Sequence, residues 1–197
     1  LFFTVLALAI ERFFALRSAY GRSSLTKFVA EIKKALRDKD LVKAQQLCDA
    51  QRGSVANVVG AALHSYKEMD ANTEYTKEQK VLNIQKSLEE ATALEMPMLQ
   101  ENLPIIGTIV TLGTLMGLLG TVLGMIRSFS AMGAEGGADS SALSTGISEA
   151  LVNTASGIAT GALAVITYNY YTNKIDRLTF ALDEVGFSIV QTFNATH

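Results

Sequence analysis

Between Leu103 and Ile126 the chain carries no charged side chain, and at ~1.5 Å per residue that stretch exceeds the ~30 Å hydrocarbon core of a bilayer. A second apolar run, Ala142 to Tyr171, holds Glu149 as its only charge. The chain opens on Leu-Phe-Phe-Thr-Val-Leu-Ala-Leu-Ala-Ile, followed at once by Glu11 and Arg12. Lacking a small-residue cleavage site, that opening reads as the end of another span and not as a signal peptide. From Ser24 to Glu95 the pattern changes to that of soluble helices. Leu25, Phe28, Val29, Ile32, Ala35 and Leu36 recur at intervals of three and four, with lysines and acids opposite. Asp38 and Asp40 mark a break, Gly53-Ser54 another, and Thr76 with Gln79 forms a capping box opening a helix that runs to about Leu94. Pro97 and Pro104 bracket the approach to the membrane as first-turn prolines, Pro104 marking the start of the second span. Beyond Asn173, Ile175, Leu178, Leu182, Val185, Ile189 and Val190 keep helical spacing, so the last span is expected to continue out of the membrane.

These patterns predict an all-α, polytopic membrane protein with three transmembrane helices, the first truncated, extending into a cytoplasmic helical bundle. Residues 1–16 end the first span, 17–102 form a cytoplasmic helical region, and 103–128 form the second span. Residues 129–141 form a periplasmic loop, 142–172 the third span, and 173–197 a cytoplasmic tail. Charge supplies the orientation. Of 17 Lys and Arg residues, 14 lie between Arg12 and Lys86, Lys174 and Arg177 follow the last span, and only Arg127 sits near the connection between spans. By the positive-inside rule residues 11 to 102 and the tail are cytoplasmic, and the tyrosines at 168, 170 and 171 suit the interface. A single cysteine, Cys48, excludes an internal disulfide. Two histidines, no acid cluster at ligand spacing and no phosphate-binding loop argue against a metal site, a cofactor and an enzyme. Basic residues balanced by acids argue against nucleic acid.

Two constellations remain. An ionised carboxylate near the bilayer centre costs ~2.5 kcal/mol or more, and such groups commonly face a bundle interior, a cavity or a proton path. At ~100° per residue, Thr145, Asn153, Ser156, Thr160 and Thr167 fall within about 40° of the Glu149 direction and make one polar stripe. If the span began only at Ala150, Glu149 would instead be an interfacial acid at a helix N-terminus. In the second span Gly113, Gly117, Gly120 and Gly124 fall within about 60° of one another, the close-packing face that drives helix association in lipid, and Gly157 with Gly161 repeats that spacing.

The run Gly117-Leu-Leu-Gly-Thr-Val-Leu-Gly-Met-Ile-Arg-Ser-Phe129, then Gly146-Ile-Ser-Glu-Ala-Leu-Val-Asn-Thr-Ala-Ser-Gly157 and Tyr168-Asn169, closely resembles the MotA/TolQ/ExbB proton channel family. Three helices and one long cytoplasmic segment look like its ExbB and TolQ branch. The resemblance implies a homopentamer in the bacterial inner membrane. Its central pore would surround helices of an ExbD- or TolR-type single-span partner, and proton flow would drive work on a TonB- or TolA-type protein. It also implies that Glu149 is the pore glutamate and that Thr121 and Thr154 are the pore threonines. The sequence departs from the ExbB pattern at Thr114 and Leu163, where prolines are common. The function expected is an ExbB-like motor subunit energising TonB-dependent outer-membrane transport. A TolQ-like subunit of the Tol-Pal motor and a non-conducting scaffold are the alternatives.

Overall fold

The computed structural model of the chain describes residues 1–134 and 140–196, with no description of the side chains at 131, 132, 134, 140 and 142. Of the expected outward loop 129–141, residues 135–139 lie outside the described residues, as does His197, while 129–134 and 140–141 are helical. Every element among the described residues is helical. They are α1 (Phe2–Ala19), α2 (Leu25–Arg37), α3 (Leu41–Gln51), α4 (Ser54–Ala71), α5 (Lys77–Gln100), α6 (Leu103–Ala134) and α7 (Ser140–Thr196). Two helices are long and apolar enough to cross a membrane, and their apolar stretches lie in α6 and in the first part of α7. The chain forms two compact units. One comprises Leu1–Glu11 with Asn102–Tyr171, the other Arg12–Glu101 with Thr172–His197.

In the first unit, Val5, Ile106, Ile109 and Ala164 form a buried cluster with Leu8, Val110, Leu163 and Tyr168 packed against it. The Tyr171 hydroxyl donates to the Ala9 carbonyl at 2.5 Å, so α1 is held to α7 by one polar anchor as well as by packing. Elsewhere α6 and α7 expose large apolar side chains, among them Leu115, Leu118, Val122, Ile126, Leu151, Val152, Ile158 and Ile166. Large apolar side chains exposed in that number belong against lipid or other protein.

The second unit is built by α2 through α5 and the tail of α7. Asp40 caps α3 by accepting from the Lys43 amide at 2.9 Å, and Thr76 with Gln79 forms a reciprocal capping box on α5. Phe28, Ile32 and Leu36 of α2, Val58 and Ala62 of α4, and Leu178, Leu182, Val185 and Ile189 of α7 are buried. Tyr66 packs edge-on to Phe193 at 4.8 Å, and Lys33 pairs with Glu184 at 2.5 Å. One boundary differs from expectation. α5 does not stop near Leu94 but runs to Gln100, with Pro97 in its interior and not in a first turn. The end of α5 is held from a distance in sequence. Arg12, 1 % exposed, donates to the Met98 carbonyl at 3.3 Å and the Leu99 carbonyl at 3.5 Å, and lies 3.5 Å from Glu101. A buried guanidinium thereby satisfies carbonyls that the end of a helix leaves open.

Gln51, also buried, ties the α1–α2 connection to the end of α3. Its Nε2 donates to the Tyr20 carbonyl at 2.9 Å and the Ser23 carbonyl at 3.1 Å, while its Oε1 accepts from the Ser23 amide at 3.2 Å. The close approach requires glycine at 21 and 53. Both have positive φ, and a Cβ would fall 2.3 Å from the Arg52 carbonyl oxygen and 2.4 Å from the Ala19 carbonyl oxygen respectively. Replacing Gln51 with Leu orphans three backbone groups. Thermal melts of the detergent-solubilised protein are expected to show destabilisation of about 2 kcal/mol.

Cys48 is buried, and burial followed by the nearby Asp49 charge pushes its thiol from 9.0 up to about 12. Because the folded-state value lies above the ordinary one, the folded protein keeps the proton that the unfolded chain gives up. The associated stability is complete below pH 9 and is lost as pH rises toward about 12. Alkylation by iodoacetamide at pH 8 is expected to be slower by about 100-fold or more than in denaturant. Cys48→Ala is expected to remove the alkaline loss of stability.

Candidate functional site between α6 and α7

Glycine costs a helix about 1 kcal/mol relative to Ala, and α6 and α7 use it to bring backbones together. A Cβ at Gly157 would lie 2.6 Å from the Gly113 carbonyl oxygen and 2.7 Å from Gly117 Cα. At Gly161 it would lie 2.9 Å from the Val110 carbonyl oxygen, and at Gly113 3.2 Å from the Gly161 nitrogen. Further along, Gly120 faces Asn153, Gly124 faces Ala150, and Gly146 faces Ser128. These contacts set the register of the two helices. All six glycines of the close-packing pattern lie in this one seam.

The seam holds the two threonines of the family motif. The Thr121 and Thr154 hydroxyls contact each other directly. Thr121 Oγ1 also lies 3.2 Å from the Gly117 carbonyl and 3.3 Å from the Ala150 carbonyl, and Thr154 Oγ1 3.4 Å from the Gly117 carbonyl. Half-buried hydroxyls that bridge two backbones act as polar glue between helices. Each thereby links α6 to α7.

A groove lined partly by the same glycines holds Glu149. One cavity of about 480 Å³ is lined by Gly120, Gly124, Arg127, Thr145, Glu149 and Asn153, among others. A second, of about 350 Å³, shares Gly120 and Asn153 and continues past Ser156 to Thr160. The polar stripe and the glycine face therefore line one trough, which the sequence leaves as two separate patterns. Within it Glu149 is exposed and makes no hydrogen bond or ion pair among the described residues. The chain itself leaves the carboxylate exposed, with Gly120 and Gly124 among the α6 residues that line its cavity.

The stripe divides on closer view. Thr145, Asn153 and Ser156 are exposed beside Glu149, whereas Thr160 and Thr167 are buried against their own unit. The hydroxyls of Thr145, Ser156, Thr160 and Thr167 each donate to the carbonyl four residues earlier at 2.8 to 2.9 Å. Their lone pairs remain available, but their protons are committed to the helix. Among the described residues the Asn153 amide makes no hydrogen bond, and it stands one helical turn from Glu149.

Arg127 is a residue that apolar patterning misses. It is the only charge of α6 and lines the same cavity as Glu149. Its position seven residues after Gly120, hence within about 20° of it around the helix, is the signal that places it there. Among the described residues no cluster of three or more His, Cys, Asp or Glu side chains is arranged to hold a metal.

The described residues thus contain a pair of helices long and apolar enough to cross a membrane, packed through glycines and flanked by a trough that holds one carboxylate. The chain belongs to the MotA/TolQ/ExbB proton channel family, whose pattern matches residues 53–184. It is similar to an ExbB-like biopolymer transport protein of Synechocystis, 41% identical over 87 residues, covering 43% of this chain and 41% of that one. It is 38% identical over 94 residues to the biopolymer transport protein ExbB of Helicobacter pylori, covering 48% and 64%. It is 30% identical over 95 residues to the Tol-Pal system protein TolQ of Pseudomonas aeruginosa, covering 48% and 41%. The chain thus spans 41% to 64% of the length of these relatives.

Proposed function

We propose that the protein is an ExbB-like proton-channel subunit that converts proton-motive force into work on a TonB-type protein, energising outer-membrane transport. The observation that carries this reading is the trough in which Glu149 stands exposed beside Asn153 and Ser156, on a helix pair long enough to span a bilayer. Glu149 is the proton-carrying group, Thr145, Asn153, Ser156 and Thr160 line its path, and Thr121 with Thr154 holds the seam. The apolar side chains left exposed on α6 and α7 support a homopentamer in the inner membrane, enclosing helices of an ExbD- or TolR-type partner. Residues 17–102 and the tail are assigned to the cytoplasm.

Similarity to a Tol-Pal system TolQ favours a second reading, a subunit of the envelope motor. Complementation separates the two. In strains lacking one motor or the other, the chain with its single-span partner is expected to restore uptake through TonB-dependent receptors and not detergent resistance. The opposite result selects the TolQ-like role. Native mass measurement of the solubilised complex is expected to give five copies of this chain.

A further inference from the structure

The Glu149 trough contains a second charge that the proton-path reading leaves unused. Ser128 packs on Gly146 and Gly124 on Ala150, so Arg127 stands near the level of Ile147 and Glu149 within about one turn of it. α6 carries no charge except Arg127, and the Ser140–Tyr171 part of α7 none except Glu149. Both line the 480 Å³ cavity. No ion pair joins them, and Arg127 has no hydrogen-bond partner among the described residues. A guanidinium cannot lose its proton in a protein. In an apolar segment its position beside the one carboxylate makes the trough electrically neutral overall.

Neutrality has a chemical consequence. Without Arg127 the trough would present a carboxylate, the Asn153 amide oxygen and the hydroxyl oxygens of Thr145 and Ser128. That is a set of hard oxygen donors of the kind alkali and alkaline-earth cations take. A hydrated alkali cation enters such a site only if the site's negative charge repays its lost water, and a fixed positive charge lining the same cavity opposes that attraction. A proton differs because it forms an O–H bond to the carboxylate and moves between hydrogen-bonded oxygens without needing a cage. We propose that Arg127 is a specificity-determining residue, which excludes alkali cations from the Glu149 trough and leaves it open to protons.

The proposal rests on Glu149 being the ion-path carboxylate, and the test keeps the two apart. The complex with its single-span partner is reconstituted in liposomes, and uptake of radioactive sodium and of protons is measured separately. Arg127→Gln is expected to raise sodium uptake about tenfold and to make proton uptake sensitive to sodium. The charge-retaining Arg127→Lys is expected to restore exclusion, and Arg127→Gln with Glu149→Gln to lose the sodium uptake again. Sodium exclusion by Arg127→Gln equal to that of the wild type, in a complex whose proton uptake Glu149→Gln stops, overturns this proposal alone. Proton uptake unaffected by Glu149→Gln overturns the proton-path reading instead.

Discussion

Glu149→Gln is expected to lower proton uptake by the reconstituted complex by about 100-fold or more, the scale of effect seen when a proton-transferring side chain is removed. The substitution keeps size and leaves the α6–α7 seam untouched, since no glycine contact involves the Glu149 side chain. It replaces a group that binds and releases a proton with an amide that does neither. Thr145→Val is the appropriate comparison. Its hydroxyl proton is committed to the Ser141 carbonyl at 2.9 Å, so flux is expected to change by no more than a few fold. A pH-sensitive dye inside the liposomes reads both variants. Wild-type flux in Glu149→Gln would return Glu149 to the role of an interfacial acid at the start of a span.

The second large effect concerns the seam. Gly157→Val places its Cβ 2.6 Å from a backbone carbonyl oxygen and 2.7 Å from a backbone Cα on the facing helix. Backbone cannot rotate away as a flexible side chain can, so the helices must separate. Separation also breaks the Thr121–Thr154 contact and dissolves the trough floor. Stable assembled complex is expected to be lost, and even Gly157→Ala is expected to destabilise by about 2 kcal/mol, within the range of overpacking. Gly133 lies on the facing helix α6, where among the described residues nothing comes within 4 Å of its would-be Cβ. Gly133→Ala is therefore expected to leave assembly unchanged. Size-exclusion profiles and thermal melts in detergent distinguish the three variants.

The two apolar runs, the amphipathic tail of α7 and the caps at Asp40 and Thr76 were legible because each depends on residues within a turn or two of one another. The 3.6-residue period exposes buried faces such as Ile175, Leu178, Leu182, Val185 and Ile189 without knowledge of what covers them. Pro97 departs from proline's local preference for a helix start. A partner 85 residues earlier in sequence, Arg12, supports the carbonyls that follow it. Gln51 was invisible for a similar reason, its value lying in backbone groups of a distant turn.

The candidate site shows the same division. Polarity of the Glu149 stripe and smallness of the glycine face are properties of single helices, and the sequence determines both. Which face meets which is a property of the pair. Only the packing of α6 on α7 sets the register that puts Gly120 against Asn153 and Gly124 against Ala150, and so joins stripe and glycines into one trough. The same register turns Thr121 and Thr154 into the seam and brings Arg127 beside Glu149. Helical periodicity is a local consequence of backbone hydrogen bonding, whereas register between two helices is decided by side-chain volumes at every level of their contact.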